Sequence, residues 1–341
     1  MSTPRASPRR LSYQFFSSRH HCRLWTHQYG ILNYRDGFNT APRTGEIRTR
    51  AANETFSPSG MFVPSIFSKK QSVSEEYKDT KLNSNVFDND MPILGIAGGG
   101  VFFFWEVGVL KYLSENYKLN ETDMIGVSAG ALCAVLVACN VNLDRAVRKA
   151  YDISVEVDIW NRSGGLAGIW GPLVRRWLEE LLPEDAHFQC GSRVKVIATK
   201  LPRMNLEYLD DFESRDDLIN ACMASVHIPF FLDGNGTYGY KGGQYIDGSL
   251  WDFFYGSNSG LLTLDGRSCI IDYFMDDQLE FSRMDFIKVL TFDTVQDLVK
   301  SGYSYAERTD AKGMFDEKLG RVRKGQVRKL LEYMPRKLIP L

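Results

Sequence analysis

The sequence predicts an α/β fold, in which a mainly parallel central sheet is flanked by helices on both faces. Strand-like apolar runs alternate with helix-like runs between residues 92 and about 305, a pattern that gives a parallel sheet covered by its crossover helices. Glycine-rich stretches directly follow strand-like runs, as expected where reactive loops gather at the carboxyl ends of strands. A chain of 341 residues can hold one large domain of this kind with extensions.

The elements alternate along the chain in a regular order. The predicted strands are residues 93–97, a segment ending at 124–125, residues 194–199 and residues 206–212. The predicted helices are residues 105–116, 129–138 and 216–224, with an amphipathic stretch at 172–182. The helix at 129–138 is apolar all round, which indicates burial behind the sheet. The apolar run that contains it, residues 125–141, is too short to span a membrane.

The amphipathic stretch around residue 172 has two interpretations. Trp170, Leu173 and Trp177 are interpreted as core residues, because apolar side chains at helical spacing usually face a core. The alternative is a lid over the mouth of a cleft, with the glycine-rich residues 164–168 acting as its hinge.

The stretch Gly126-Val127-Ser128-Ala129-Gly130 carries the strongest chemical signal in the chain. It lies between a strand end and a helix start, where Gly-x-Ser-x-Gly is typical of a nucleophile elbow. Gly126 and Gly130 allow a tight turn that presents Ser128 at a helix N-terminus. There the helix dipole and free N–H groups favour developing negative charge. The alternative is a tightly packed strand-to-helix turn without chemistry.

Two further glycine-containing segments accompany the elbow. Gly98-Gly99-Gly100 follows the first predicted strand, and three consecutive glycines leave backbone N–H groups unobstructed, as an oxyanion hole requires. Asp247-Gly248-Ser249 follows the glycine-rich residues 242–246, and a carboxylate in a tight turn can act as a base toward a serine proton. Each segment alone is a weak signal, because glycine triplets are common in loops and Asp-Gly is common in turns.

In this order and spacing, the three motifs resemble those of the patatin-like phospholipase family. The similarity covers residues 92 to about 305 and includes the helix near residues 108–113 and the Ala-Ser-x-x-x-Pro segment at 224–229. The resemblance implies a patatin-like fold, with Ser128 as the nucleophile and Asp247 as its partner in a Ser-Asp dyad. It also implies that backbone amides of the glycine loop hold the oxyanion, those of Gly98, Gly99, Gly100 and Val101.

The chain departs from the family's pattern at two places. The family's glycine loop usually has a basic residue before its last glycine, whereas Phe102 and Phe103 stand at those two positions here. Ser249 stands where the family usually has glycine or alanine. Neither change removes the nucleophile or the base. The missing cation makes a neutral acylglycerol or a galactolipid a substrate alternative to phospholipid.

The histidines favour a dyad over a triad. Only His187 and His227 follow Ser128, and both precede Asp247, whereas an α/β-hydrolase has its histidine after the acid. His227 is interpreted as a structural residue ahead of a turn-forming proline. The alternative is a rearranged triad that pairs His227 with Asp210 or Asp211.

Composition excludes several other classes of protein. The formal net charge is −1, which argues against a dedicated nucleic-acid partner. The six cysteines form no Cys-x-x-Cys pair and are interpreted as buried thiols of a reducing compartment. We find no carboxylate or histidine cluster with metal-ligand spacing in the sequence, and we expect no cofactor. We expect contact with a lipid surface to be peripheral, without a transmembrane span.

Three regions are predicted along the chain. Residues 1–91 form an N-terminal arm and linker, whose arginine- and serine-rich, acid-poor start resembles a transit peptide to plastid or mitochondrion. The alternative is a disordered arm or a mistaken gene start. In that case we expect an intracellular, cytoplasmic protein with peripheral membrane contact. Residues 92–305 form the catalytic domain. Residues 306–341 form a basic tail that is either solvated or lies on anionic lipid.

The resulting hypothesis is a serine lipid acyl hydrolase that cleaves ester bonds of glycerolipids through an acyl-enzyme intermediate. The competing hypothesis is a catalytically weak or inactive lipid-binding protein that keeps the same fold, in view of the altered glycine loop.

Overall fold

A single sheet organises the described part of the chain. The computed structural model describes residues 86–87, 90–250, 260–280 and 283–325. Its strands are β1 (Ile93–Ile96), β2 (Asp123–Val127), β3 (Val194–Leu201), β4 (Asn205–Leu209), β5 (Tyr238–Tyr240), β6 (Gly243–Asp247) and β7 (Cys269–Ile271). Hydrogen-bonded strand neighbours follow the path β5-β6-β3-β2-β1-β7, and β4 also pairs with β3.

Helices surround this sheet. They are α1 (Phe103–Asn116), α2 (Ala129–Ala138), α3 (Leu143–Glu156), α4 (Trp170–Leu181), α5 (Ala186–Cys190), α6 (Arg215–Ser225), α7 (Gly260–Thr263), α8 (Phe292–Ala311) and α9 (Asp316–Leu319). Asn142, Ser214 and Thr291 precede α3, α6 and α8, and each side chain accepts a backbone N–H of the first turn. Such N-caps define where these three helices begin.

The parallel part of the sheet is buried on both faces. β7, β1, β2 and β3 run parallel to one another. Along β1 and β2 the side chains alternate between two apolar clusters: Leu94 and Met124 enter the larger one, and Ile93 and Ile125 enter the smaller. Helices α1, α2 and α6 contribute to the larger cluster, and Leu262 of α7 contributes to the smaller. The predicted α/β class, a mostly parallel sheet with helices around it, is confirmed.

Several elements differ from the predicted ones. Helix α2 has the predicted bounds, whereas α1 and α4 begin two residues earlier than predicted. Strand β2 continues to Val127, so Ser128 follows it directly. Helices α3 and α8 and strand β6 are absent from the sequence predictions, and β6 changes how the third motif reaches the site.

Strands β2 and β6 lie on the same edge of β3 and meet end to end. The first half of β3 pairs in parallel with β2, with Ile197 opposite Val127. The second half pairs antiparallel with β6, with Ala198 opposite Asp247. Strand β4 takes the other edge, since it pairs with β3 residues from both halves. The carboxyl ends of β2 and β6 therefore face each other, and Asp247 arrives on an antiparallel strand instead of after a parallel one.

The chain beyond residue 305 is bonded to the domain as far as it is described. Helix α8 continues across residue 305 to Ala311. Arg323 pairs with Asp310 and Asp316, and Lys324 Nζ donates to the Ser114 carbonyl at 2.6 Å. The remaining cations of the predicted basic tail, from residue 328 onward, lie outside the described residues.

The predicted N-terminal arm is almost wholly outside the described residues, as is Cys22. Within them, no helix combines the length and the apolar character that crossing a membrane requires. The other five cysteines are buried and form no disulfide.

Candidate active site

The end-to-end meeting of β2 and β6 brings Ser128 and Asp247 into contact. Ser128 Oγ donates to Asp247 Oδ2 at 2.6 Å, and both residues are buried, with 6% and 2% of their surface exposed. An O–H···O⁻ bond of this length is typical of a charge-assisted pair. The hydroxyl proton therefore already points at the oxygen that could accept it.

Ser128 occupies a strained turn that the neighbouring glycines permit. Its φ and ψ are 52° and −123°, a left-handed conformation that costs free energy for a residue with a Cβ. A Cβ on Gly126 would lie 2.4 Å from the Gly130 carbonyl oxygen, and one on Gly130 would lie 2.2 Å from the Ile96 carbonyl oxygen. The elbow thus packs on its own helix start and on the end of β1, and only glycine fits at either position.

Ser225 holds the backbone of the elbow in place. Its Oγ accepts the Ser128 backbone N–H at 2.8 Å and donates to the Ile197 carbonyl at 2.7 Å. Ser225 is not among the site residues predicted from the sequence. Its signal was present, because it is the serine of the Ala-Ser-x-x-x-Pro segment.

The second carboxylate oxygen of Asp247 is also occupied. Asp247 Oδ1 accepts the backbone N–H and the Oγ–H of Ser249, each at 2.7 Å. Burial raises the pKa of Asp247 above its usual range, and the hydrogen bonds from Ser128 and Ser249 oppose that rise. A raised pKa strengthens the carboxylate as a proton acceptor, as long as it stays ionised.

The glycine loop lies against Ser128 and Ser249. A Cβ on Gly98 would come within 2.6 Å of Ser249 Oγ and 2.9 Å of Ser128 Cβ. Gly100 has a φ of 56°, and a Cβ there would meet the Phe286 carbonyl oxygen at 2.1 Å. Among the described residues, the backbone amides from Gly98 to Val101 make no hydrogen bond within the protein. Unpaired amides beside a serine suit a developing oxyanion.

Phe102 and Phe103 belong to the interior of the protein. Phe102 is fully buried and stacks on Tyr273 with ring centroids 4.0 Å apart. Phe103 meets Trp177 edge-on at 5.4 Å. The position where the family has a cation therefore faces the core, so Phe102→Arg would bury an unpaired charge and could not test head-group recognition.

An apolar cavity begins at Ser128 and extends between α1, α3 and α4. The loop residues 288–290 complete its wall. Within the described residues the charged group in its lining is Lys288, whose Nζ pairs with Asp285 at 2.7 Å. Its apolar lining includes Phe104, Leu132, Val147, Ala150, Ile153 and Trp160.

The amphipathic helix α4 forms one wall of this cavity. Trp170, Leu173 and Trp177 all line it, and Trp177 is buried. The Gly168 and Gly171 backbone N–H groups donate to the carbonyls of Phe231 and Leu232, at 2.7 and 2.8 Å. The start of the helix is thus fastened to the segment after α6, and its aromatic residues serve as core and cavity wall at once.

The rearranged triad is not assembled among the described residues. The His227 ring bonds through Nε2 to the Asn235 carbonyl at 3.2 Å, and Asp210 pairs with Lys195. Burial lowers the pKa of His227, an effect that the nearby Asp233 charge partly opposes. The backbone of His227 does reach the site, since its carbonyl accepts the Asp247 N–H at 2.8 Å. Within the described residues no cluster of His, Cys, Asp and Glu side chains is arranged to hold a metal ion.

Fold and site together give an α/β protein with a serine in a glycine-flanked turn, a carboxylate facing that serine and an apolar cavity beside the pair. Residues 94–255 match the family model of the patatin-like phospholipases. This match confirms the family that the three motifs indicated, for the part of the chain that carries them.

Curated relatives give the same result. Human 1-acylglycerol-3-phosphate O-acyltransferase PNPLA3 is 28% identical over 167 residues, 47% of this chain and 34% of the relative. Human patatin-like phospholipase domain-containing protein 2 is 30% identical over 171 residues, 47% of this chain and 32% of the relative. Human omega-hydroxyceramide transacylase is 27% identical over 173 residues, which are 48% of this chain and 31% of the relative. The matched segment spans about a third of the length of these relatives.

Proposed function

We propose that this protein is a serine lipid acyl hydrolase that cleaves ester bonds of glycerolipids and works peripherally at a lipid surface. The observation that carries the proposal is the 2.6 Å contact between Ser128 Oγ and Asp247 Oδ2 at one end of an apolar cavity. A buried nucleophile–base pair beside a concave apolar wall is the arrangement that an ester with a long acyl chain requires.

The proposed reaction proceeds through an acyl-enzyme. Asp247 Oδ2 takes the hydroxyl proton while Ser128 Oγ attacks the ester carbonyl carbon. The backbone amides from Gly98 to Val101 stabilise the oxyanion of the tetrahedral intermediate. The ester C–O bond then breaks, and the leaving alcohol takes the proton from Asp247. Water, with Asp247 again as base, hydrolyses the acyl-enzyme and restores Ser128.

The direct test is an activity-based fluorophosphonate probe together with hydrolysis of a lipid panel. The probe should label the protein if Ser128 is activated, and the labelled peptide should be the one that contains Ser128. A lipid panel of phospholipids, galactolipids and acylglycerols then gives the head-group preference. A folded protein that the probe leaves unlabelled, and that hydrolyses none of these lipids, would favour the competing lipid-binding function.

The assays must also determine which molecule accepts the acyl group, water or another lipid. Two of the relatives are named for acyl transfer, to 1-acylglycerol 3-phosphate and to omega-hydroxyceramide. An acyl-enzyme can pass its acyl group to a lipid hydroxyl as well as to water. Each assay should therefore include a monoacylglycerol acceptor, so that diacylglycerol formation is measured beside free fatty acid.

The first prediction concerns acyl-chain length. Ala150 of α3 lines the apolar cavity, so we expect Ala150→Phe to fill part of the space that a long chain would occupy. Each displaced methylene removes about 0.8 kcal/mol of burial, so cleavage of long-chain esters should fall about tenfold or more. Hydrolysis of a short-chain ester by the same variant should change less than about threefold.

The matched control places the same ring on the exposed side of the same helix. Asp152 of α3 is exposed and does not line the cavity, so Asp152→Phe should leave both rates near wild type. If Ala150→Phe slows short and long esters equally, the acyl chain does not lie along α3.

The second prediction concerns the head group. The glycine loop presents amide dipoles but no cation, and Lys288 is already paired with Asp285. A missing charge-assisted contact removes about 1.5–3 kcal/mol of binding. Galactolipids and monoacylglycerols should therefore be cleaved at least as fast as anionic phospholipids presented in the same mixed micelles.

A tenfold preference of the wild type for anionic phospholipid would contradict this expectation. Lys288→Gln then separates two explanations: loss of the preference would make Lys288 the head-group contact, and its persistence would implicate a cation elsewhere in the chain.

A further inference from the structure

We propose that Ser249 is a positioning residue for the reaction: it fixes Asp247 Oδ1, so that Oδ2 alone faces Ser128, and it keeps the buried carboxylate ionised. This inference rests on the function proposed above. It concerns a side chain that replaces the glycine or alanine found at this place in the motif that the chain resembles.

The geometry gives Ser249 two bonds to one oxygen. Its backbone N–H and its Oγ–H both donate to Asp247 Oδ1 at 2.7 Å. Any residue except proline at position 249 would supply the N–H, whereas the glycine or alanine usual at this place would supply no second donor. Rotation of the carboxylate about its Cβ–Cγ bond would break both bonds and the contact with Ser128. The extra donor therefore narrows the orientations open to the base.

Ser249 also lies between the dyad and the glycine loop. A Cβ on Gly98 would come within 2.6 Å of both Cβ and Oγ of Ser249. The same point lies 2.9 Å from Ser128 Cβ. The Ser249 side chain thus donates its hydroxyl to Asp247 and also packs against the loop that would hold the oxyanion.

No cation compensates the Asp247 charge in the described part of the chain. The titratable groups on the elements packed around it are Lys195 and Lys200 on β3, Tyr238 and Tyr240 on β5, Tyr245 on β6, Arg215, Asp216, Asp217 and Cys222 on α6, Asp123 on β2, Cys133 on α2, and His227. The cation on α6, Arg215, pairs with Glu184. Lys195 pairs with Asp210, Lys200 with Glu207, and Asp217 with Lys241. The groups that oppose the effect of burial on Asp247 are the hydroxyls of Ser128 and Ser249 and the Ser249 N–H.

The test is Ser249→Ala, with the rate of Ser128 labelling by a fluorophosphonate measured as a function of pH. Labelling needs the ionised base but no lipid substrate, so it is independent of head group and chain length. A hydrogen bond to a charged group is worth enough to move a pKa by about one unit. We therefore expect the acid limb of the profile to move up by about one pH unit. At the acid end the rate should fall about tenfold, and at high pH it should stay within about threefold of wild type.

Two variants complete the design. Ser249→Thr keeps the hydroxyl and should return the midpoint toward the wild-type pH. Ser268→Ala removes another buried hydroxyl, one that donates to the Leu262 carbonyl at 2.7 Å, and should leave the midpoint unmoved. Thermal unfolding of each variant, compared with that of the wild type, checks that the variant is folded.

The outcomes separate this inference from the proposed function. A wild type that is not labelled at Ser128 overturns both. If the labelling rate of Ser249→Ala has the same pH midpoint as that of the wild type, the role of Ser249 is overturned, whatever the maximal rate at high pH. The proposed function is then unaffected. A midpoint that moves equally in Ser268→Ala also overturns it, because the shift would then follow from lost stability.

Discussion

Ser128→Ala should abolish lipid hydrolysis, with turnover at least about a thousandfold below wild type, because loss of a nucleophile costs orders of magnitude in rate. The substitution removes the Oγ that contacts Asp247 at 2.6 Å and nothing else. Hydrolysis of a short acyl ester and of a lipid panel measures the effect. Fluorophosphonate labelling should disappear in the same variant.

The fold should survive this change. Serine and alanine both have a Cβ, so the left-handed backbone at position 128 costs each of them similarly. Thermal unfolding and far-UV circular dichroism check this, with Ser268→Ala as the serine substitution away from the dyad. Residual turnover above about a thousandth of wild type in a folded Ser128→Ala protein would mean that another group is the nucleophile.

Asp247→Asn should be nearly as inactive as Ser128→Ala. The amide has the shape of the carboxylate and can still accept from Ser249, but it cannot take up the serine proton. We expect kcat/KM to fall at least about a thousandfold at every pH. In the wild type, the raised pKa of Asp247 predicts that kcat/KM falls as pH drops through that pKa, because protonation removes the base.

The two histidines serve as controls for the base. The His187 ring packs on Phe188 and the His227 ring bonds to Asn235, so His187→Ala and His227→Ala should each keep most activity. The His227 main-chain carbonyl, which accepts the Asp247 N–H, is unchanged by the substitution. A folded His227→Ala protein as inactive as Ser128→Ala would replace the dyad by a triad.

Motifs with strict steric requirements were predictable from sequence. The elbow at residues 126–130 needs glycine on both sides of the serine, and the structure shows the carbonyls that exclude any larger residue. Helix α2 was predicted to the residue, because a fully apolar run after a glycine turn has one stable location, behind the sheet.

Elements defined by long-range pairing were not predictable in this way. β6 contains a glycine and a glutamine and has no apolar run of its own, so it becomes a strand through its pairing with β3 and β5. Helices α3 and α8 are polar on one side, so their apolar pattern is weaker than that of the fully apolar segments and did not predict a helix. Ser225 was missed for a related reason, because its role depends on the turn at Ser128, which is close in space but distant in sequence.

The end-to-end meeting of β2 and β6 has a consequence for how related sequences can differ in length. The positions of Ser128 and Asp247 depend on the registers of β2 and β6 against β3, because both strands are aligned on it. An insertion in a surface turn such as residues 202–204 leaves that count unchanged. One residue added inside Gly243–Asp247 would send every later side chain to the opposite face of the sheet. Natural insertions and deletions should therefore accumulate in the turns, while this five-residue strand keeps a fixed length in every active homologue.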